Sequence, residues 1–433
     1  MISAPTTQTT KKNPMKLNST ILFMTLIIGM TFQSRAQHLS ISQYLHLVGQ
    51  ENLGYAAEKY NVNIAEAGME TARIFPDPEF SAGAFDNQQS KLKLGQGVSV
   101  GLATTIELGG KRSARIALAK SELEQHQMTL QDYFRNLRAD AAIAYYEAIH
   151  KGNLLQLQQS SHQFMEQLAN ADAMRYKLGV ITETDARQSK LEASILENGM
   201  YQYEADLKAA LVRLSVFAGQ KKTDSSLIPE GNFKNLDRSL NLYTLVTEAQ
   251  QHRADALFAL IGKTVAKNEL SLAKANRVSD LGINTGLQFN GASTNEEAPT
   301  PDHRAFNVGI SLPLKFSNRY RGELKSAQFG ISKANLEYEA ILQQIQSEVT
   351  QAYLNYIAAQ KRVQQYQHGP LKEANQILEA KIYSYTRGEI ALLEVLNARR
   401  TYNEIQQSFY EAQASLAITL IELERVAGFW DLK

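Results

Sequence analysis

The stretch VSVGLATTIEL, residues 98–108, decides the fold. Val98, Val100, Leu102, Thr104, Ile106 and Leu108 share one face of an extended chain, while Ser99, Gly101, Ala103, Thr105 and Glu107 share the other. Successive side chains of a strand point to opposite sides, so the pattern predicts a strand with one oily face. About eleven residues at roughly 3.3 Å each, tilted, are enough to cross the hydrocarbon of a bilayer as a barrel strand. The alternation returns at 281–290, where Leu281, Ile283, Thr285, Leu287 and Phe289 oppose Gly282, Asn284, Gly286, Gln288 and Asn290. It returns again at 306–316, with Phe306, Val308, Ile310, Leu312, Leu314 and Phe316 on the oily side. A weaker fourth strand is expected at 80–86, entered through Phe75-Pro76-Asp77-Pro78. Period two also fits a strand of a soluble sandwich, but the rest of the chain reads as helix and leaves no second sheet to pack on. The expected lipid face is therefore Val98, Val100, Leu102, Ile106, Ile283, Leu287, Val308, Ile310 and Leu312.

Four strands cannot close a barrel, and an open edge in lipid leaves backbone groups unpaired at several kcal/mol each. The smallest membrane barrels have about eight strands, so at least two chains must pool theirs.

The chain has no cysteine and a formal net charge of +1. That excludes a disulfide scaffold, a thiolate metal site and a nucleic-acid partner held by a basic surface. Lys11, Lys12 and Lys16 precede an apolar run at 21–30, and Ser34-Arg35-Ala36 offers small residues where a signal peptidase reads. Residues 1–36 are the expected signal peptide, with no other apolar run long enough for an inner-membrane anchor.

The remainder is two halves. One interval separates Gly101 from Gly309 and Tyr145 from Tyr353, and an interval one residue longer separates Gly179 from Gly388 and Gly219 from Gly428. The extra residue falls near Gly369-Pro370, where a helix should kink. Each half is expected to run helix, strand pair, long helix, turn, long helix. The boundaries are a first repeat at 37–218, a polar linker at 219–240, a second repeat at 241–428 and a short tail at 429–433. Apolar residues at three-four spacing, such as Leu342, Ile345, Val349, Ala352, Tyr356, Ala359 and Val363, predict coiled-coil seams. A helix over 111–178 would be roughly 100 Å long, far more than a compact core needs.

Catalytic signals are weak. Gly97-Val98-Ser99-Val100-Gly101 matches the nucleophile-elbow pattern, but its serine opens an uninterrupted strand instead of a sharp strand-to-helix turn. Gly109-Gly110-Lys111-Arg112 lacks the spacing of a phosphate loop, and Lys111, Arg112 and Arg115 suit headgroup or solvent contact. The eight histidines are scattered, with no pair at metal-ligand spacing on a helix. No catalytic residue, metal site or cofactor is expected.

Two helix-to-helix turns carry more. Each has a tyrosine three residues before a glycine and a carboxylate six after it: Tyr176, Gly179 and Asp185 in the first half, Tyr385, Gly388 and Glu394 in the second. Glycine closes a helix, and the acid falls near the start of the returning one. By residue type alone these are also ordinary hairpins with solvated first turns.

The double half-repeat, the RYxxG…D turn, its partner YxxG…ExxNA and the C-terminal RVAG together resemble the TolC family of outer-membrane efflux channels. The resemblance spans the whole mature chain. Ile106 to Arg112 and the Leu371–Ala374 stretch are more similar to its heavy-metal (cobalt-zinc-cadmium) resistance branch, the CzcC-like components. The resemblance implies a mainly helical protein with membrane β structure: a homotrimer with a twelve-stranded barrel in outer-membrane lipid, continuous with a helical coiled-coil barrel reaching into the periplasm. It implies a periplasmic gate at Asp185, Glu394, Tyr176, Tyr385 and Arg387, and adaptor-docking tips at Gly179, Val180, Gly388 and Ile390. It implies a periplasmic adaptor and an inner-membrane pump of the RND type as partners. Ile390 stands where a gate arginine is known in the family, and Asn397 where some members carry a second acid. The function expected is a passive exit duct for heavy-metal cations; the same architecture also serves drug efflux or type I protein secretion, and a periplasmic coiled-coil scaffold is the rival outside transport. Three copies of Glu394 and Asp185 would favour cations, with Arg387 the expected partner of Asp185.

Overall fold

The computed structural model describes residues 37–89, 91–220, 227–316 and 320–431. The expected signal peptide lies outside the described residues, as do 221–226 of the linker and 432–433 of the tail.

The sheet comes first because it orders everything else. Strands β2 (Glu79–Asp86), β3 (Gln96–Ile106), β5 (Leu281–Asn290) and β6 (His303–Ser311) form one antiparallel sheet in the order β2-β3-β5-β6. Its register lines Ala82, Val100, Leu287 and Phe306 across one face. The next row, Gly83, Ser99, Gln288 and Ala305, crosses the other face. The oily face has no cover within the chain: Val308 is 67 % exposed and Ile310 77 %. Ser99 lies mid-strand, paired with Gly83 and Gln288, which leaves no elbow for a nucleophile.

The strand expected at 306–316 departs from expectation. It starts at His303 and ends at Ser311, so Leu312 lies beyond it, exposed but off the ladder. Pro313 has no N–H to donate, which stops the strand there.

Helices α1 (Ile41–Glu51) and α2 (Leu53–Ala72) precede the first strand pair, and α3 (Lys111–Lys177) follows it as an unbroken helix of 67 residues. Glycines Gly109 and Gly110, both at φ +74°, turn the chain from strand to helix. The basic residues beyond them do not reach for headgroups or solvent as expected. Lys111 is buried and its Nζ lies 2.6 Å from Asp280 Oδ2. Arg115 donates to both oxygens of Glu107, at 2.7 and 3.1 Å, and to the carbonyls of Ala72 and Ile74. Arg112 donates to the Arg73 carbonyl at 2.7 Å and stacks over Phe75. Together they clamp the sheet to the helices beneath it.

Helix α4 (Glu183–Phe217) returns along α3, and the second half repeats the plan with α5 (Leu242–His252), α6 (Ala254–Asn276), α7 (Arg321–His368), α8 (Pro370–Thr386) and α9 (Leu392–Ala427). Next to the sheet the helices line up as α2-α3-α6-α7, the same order as the strands. Farther away α3 lies between α4 and α9, and α9 packs on α8. The second long helix is broken between α7 and α8, where Gly369 (φ −144°, ψ −88°) and Pro370 interrupt it.

The main core lies where these tiers meet, around Tyr44, Tyr145, Ile345, Val349, Tyr356 and Leu420. The linker is less polar than its sequence suggests. Strand β1 (Gln37–Leu39) pairs in parallel with β4 (Leu227–Pro229), and Leu227 and Leu236 are buried. The Tyr145 hydroxyl sits 2.8 Å from the carbonyl oxygens of both Leu39 and Glu230. In the second half the matching work falls to Tyr356, one turn beyond Tyr353. Its hydroxyl donates to the Leu236 carbonyl at 2.9 Å and accepts the Arg238 N–H at 2.6 Å. Two buried hydroxyls thus lace the linker across both halves.

Candidate channel tip

At the far end of the molecule the two turns have the same backbone. Gly179 (φ +73°) and Gly388 (φ +79°) end α3 and α8 in left-handed conformation. Val180 N–H reaches the Arg175 carbonyl and Gly179 N–H the Tyr176 carbonyl, both at 2.9 Å; Glu389 to Ser384 and Gly388 to Tyr385 repeat this at 3.0 Å. This pair of bonds satisfies carbonyls left open at a helix end. A Cβ on either glycine would meet nothing within 4 Å, so backbone conformation, not space, requires glycine there.

The side chains differ. Tyr176 is exposed, whereas Tyr385 is buried in a small cluster with Met165, Ala193, Leu392, Val395 and Leu396. The Tyr385 hydroxyl donates to Asp172 Oδ1 at 2.8 Å, and Arg175 lies 4.6 Å over its ring. Arg175 Nη1 is 3.6 Å from Asp172 Oδ1. Asp172 is fully buried, and its Oδ2 has no hydrogen-bond partner. Burial raises the Asp172 pKa above the ordinary carboxylate value, partly opposed by the Tyr385 and Ser189 hydroxyls and by Arg175. Burial, then the Asp172 carboxylate, pushes the Tyr385 phenol upward as well.

The expected charge partners also rearrange. Arg387 does not meet Asp185; its Nε lies 3.0 Å from Glu389 Oε1, and its Nη1 donates to the Tyr383 hydroxyl at 2.6 Å. A pair two residues apart, on the rim of one turn, forms more readily than one that must span two hairpins. Asp185 accepts the Thr182 hydroxyl at 2.7 Å, while its own N–H donates to Thr182 Oγ1 at 3.2 Å, a reciprocal helix cap. Glu394 does have a cation, Lys381, at 2.8 Å. Of the expected docking positions, Val180 is exposed and Ile390 is half-buried against the tip cluster.

Sequence reading missed Asp172 and Lys381. They occupy equivalent places, seven residues before Gly179 and Gly388, and the reversal of charge between copies is the signal that marks them. Among the described residues no group of three His, Asp or Glu side chains could hold a metal ion, and no helix is long and apolar enough to cross a membrane.

The profile of the outer membrane efflux protein family matches residues 245–429, the second copy of the repeat. The second half of the chain is thus similar to this family. The cobalt-zinc-cadmium resistance protein CzcC of Cupriavidus metallidurans is 24 % identical over 399 residues, covering 90 % of each chain. The outer membrane protein TolC of Vibrio cholerae is 21 % identical over 325 residues, 73 % of this chain and 74 % of that one. Among solved structures, CusC superposes with a TM-score of 0.71 at 16 % identity, covering 90 % of this chain and 92 % of its own. These likenesses are to outer-membrane efflux proteins, and the expected mainly helical fold with a small sheet is met.

Proposed function

We propose that three copies of the chain join edge to edge into one passive duct, and that it carries heavy-metal cations out of the cell from an RND-type inner-membrane pump and a periplasmic adaptor. The observation that carries this is the open four-stranded sheet. Strands alternate in direction, so β6 of one copy meets β2 of the next antiparallel, and the ladder continues without a fault. The helices beneath support the same joint: Leu53, Tyr60 and Ile64 line an exposed stripe on α2, and Phe329 and Leu336 one on α7, at the two ends of the helix row. CzcC, a cobalt-zinc-cadmium resistance protein by name, supports the choice of cargo.

In this reading Gly179, Val180, Gly388 and Ile390 meet the adaptor, and Asp185, Glu394, Tyr176, Tyr385 and Arg387 lie at the gate. The protein purified in detergent should have the mass of a trimer and conduct ions in a planar bilayer. Its loss should sensitise the host to zinc, cobalt and cadmium salts more than to lipophilic drugs. A monomer without conductance sinks the duct; unchanged metal tolerance sinks the cargo. Ile310→Arg should cost about 2–4 kcal/mol if it faces lipid near mid-bilayer, with trimer yield as readout, whereas Ser99→Lys on the opposite face should assemble normally.

A further inference from the structure

We propose that Lys381 sets the ion selectivity of the tip, by neutralising Glu394 and leaving Asp185 as the carboxylate that acts on passing ions. The inference rests on the duct reading above.

Lys381, on α8, reaches across the turn to the first helical residues of α9, where its Nζ lies 2.8 Å from Glu394 Oε2. The lysine and glutamate side chains are 38 % and 53 % exposed. A pair this accessible contributes little to holding a fold. The turn has other supports: the left-handed Gly388 and the buried Leu392, Val395 and Leu396. What the lysine does change is charge. A lone carboxylate presents a monopole to ions at a constriction; with an ammonium in contact it presents a dipole, whose field fades well inside the screening length of about 8 Å.

The other carboxylates of the two turns are similarly occupied. Glu183 pairs with Arg187 at 2.6 Å, Glu389 with Arg387 at 3.0 Å, and Asp172 is turned inward to Tyr385. Asp185 differs: its side chain is held by the neutral Thr182 hydroxyl and has no ion pair among the described residues. The repeat explains the difference. In the second half a lysine stands seven residues before the glycine and meets the acid six after it; in the first half that place holds Asp172, so Asp185 receives no cation.

Reversal potentials in planar bilayers under a KCl gradient test this with Lys381→Met, Glu394→Gln, both together, and the swapped pair Lys381→Glu/Glu394→Lys, each first shown to purify as the wild-type oligomer. Lys381→Met should raise the cation-to-anion permeability ratio about twofold or more, and Glu394→Gln should lower it comparably. The double neutralisation and the swap should both return to the wild-type value. Single variants that conduct but leave the ratio unchanged, or that both shift it the same way, overturn the proposal and make the pair a brace. A wild-type protein that forms no conducting pore overturns the duct reading itself, and this proposal with it.

Discussion

The two tip turns share a backbone and differ in what they bury. Around Gly179 the tyrosine is exposed and the returning helix is held by a side-chain cap, Thr182 to the Asp185 N–H. Around Gly388 the returning helix begins at Leu392 with no side-chain cap from Ala391, but Leu392 and Val395 are buried and Tyr385 is locked to Asp172. One turn is closed by polar bonds at its rim, the other by packing at its root. The lock belongs to both, because Asp172 and Arg175 come from the first half and Tyr385 from the second. A duplicated unit has therefore stopped being two equal units and has become a pair in which one grips the other.

Substitutions should separate the two modes. The largest effect is expected for Tyr385→Ala, which empties the tip cluster and should cost about 3 kcal/mol or more in chemical unfolding. Tyr385→Phe should cost about 1–3 kcal/mol, since it removes the hydroxyl that donates to buried Asp172 Oδ1.

Acidity sharpens the point. The folded-state pKa of Asp172 is raised above 3.8, so its contribution to stability is complete below that value and is lost as pH rises through the folded pKa. The wild-type tip should gain stability relative to Asp172→Asn as pH falls from about 7 to about 4, read by hydrogen exchange of the tip helices. A constant difference across that range would show that Asp172 does not titrate there.

At the first turn the effects should be smaller. Thr182→Ala should cost about 1 kcal/mol through loss of the cap. Tyr176→Ala should stay within about 0.5 kcal/mol, since its ring is exposed. If Tyr176→Ala proved as damaging as Tyr385→Ala, the turns would be alike after all.

The sheet and the duplication were legible because both rest on periodicity, which sequence carries directly. Alternation at 98–108 and 281–290 located two strands to within a residue or two; the last strand was set too late because Leu314 and Phe316 keep the alternation going past a proline that ends the ladder. The glycines of the turns were legible for the same kind of reason, a backbone conformation that selects a residue type. Partner choice was not. Whether Arg387 meets Asp185 or Glu389, and whether Lys111 faces headgroups or Asp280, depends on a few ångströms of tertiary placement. The unequal burial of Tyr176 and Tyr385 was hidden by the very equivalence that revealed the repeat.

The parallel pairing of β1 with β4 has a consequence for how the protein is made. Gln37 aligns with Leu227, so the opening residues of the described chain find their partner only after nearly half of it has emerged. Until then the Tyr145 hydroxyl lacks both of its acceptors in place, Leu39 and Glu230. Such distant contacts are slow to form, because the intervening loop must close before they stabilise anything. The first half cannot finish folding until the linker has followed it, and a chain interrupted before residue 227 remains an open intermediate instead of a completed half.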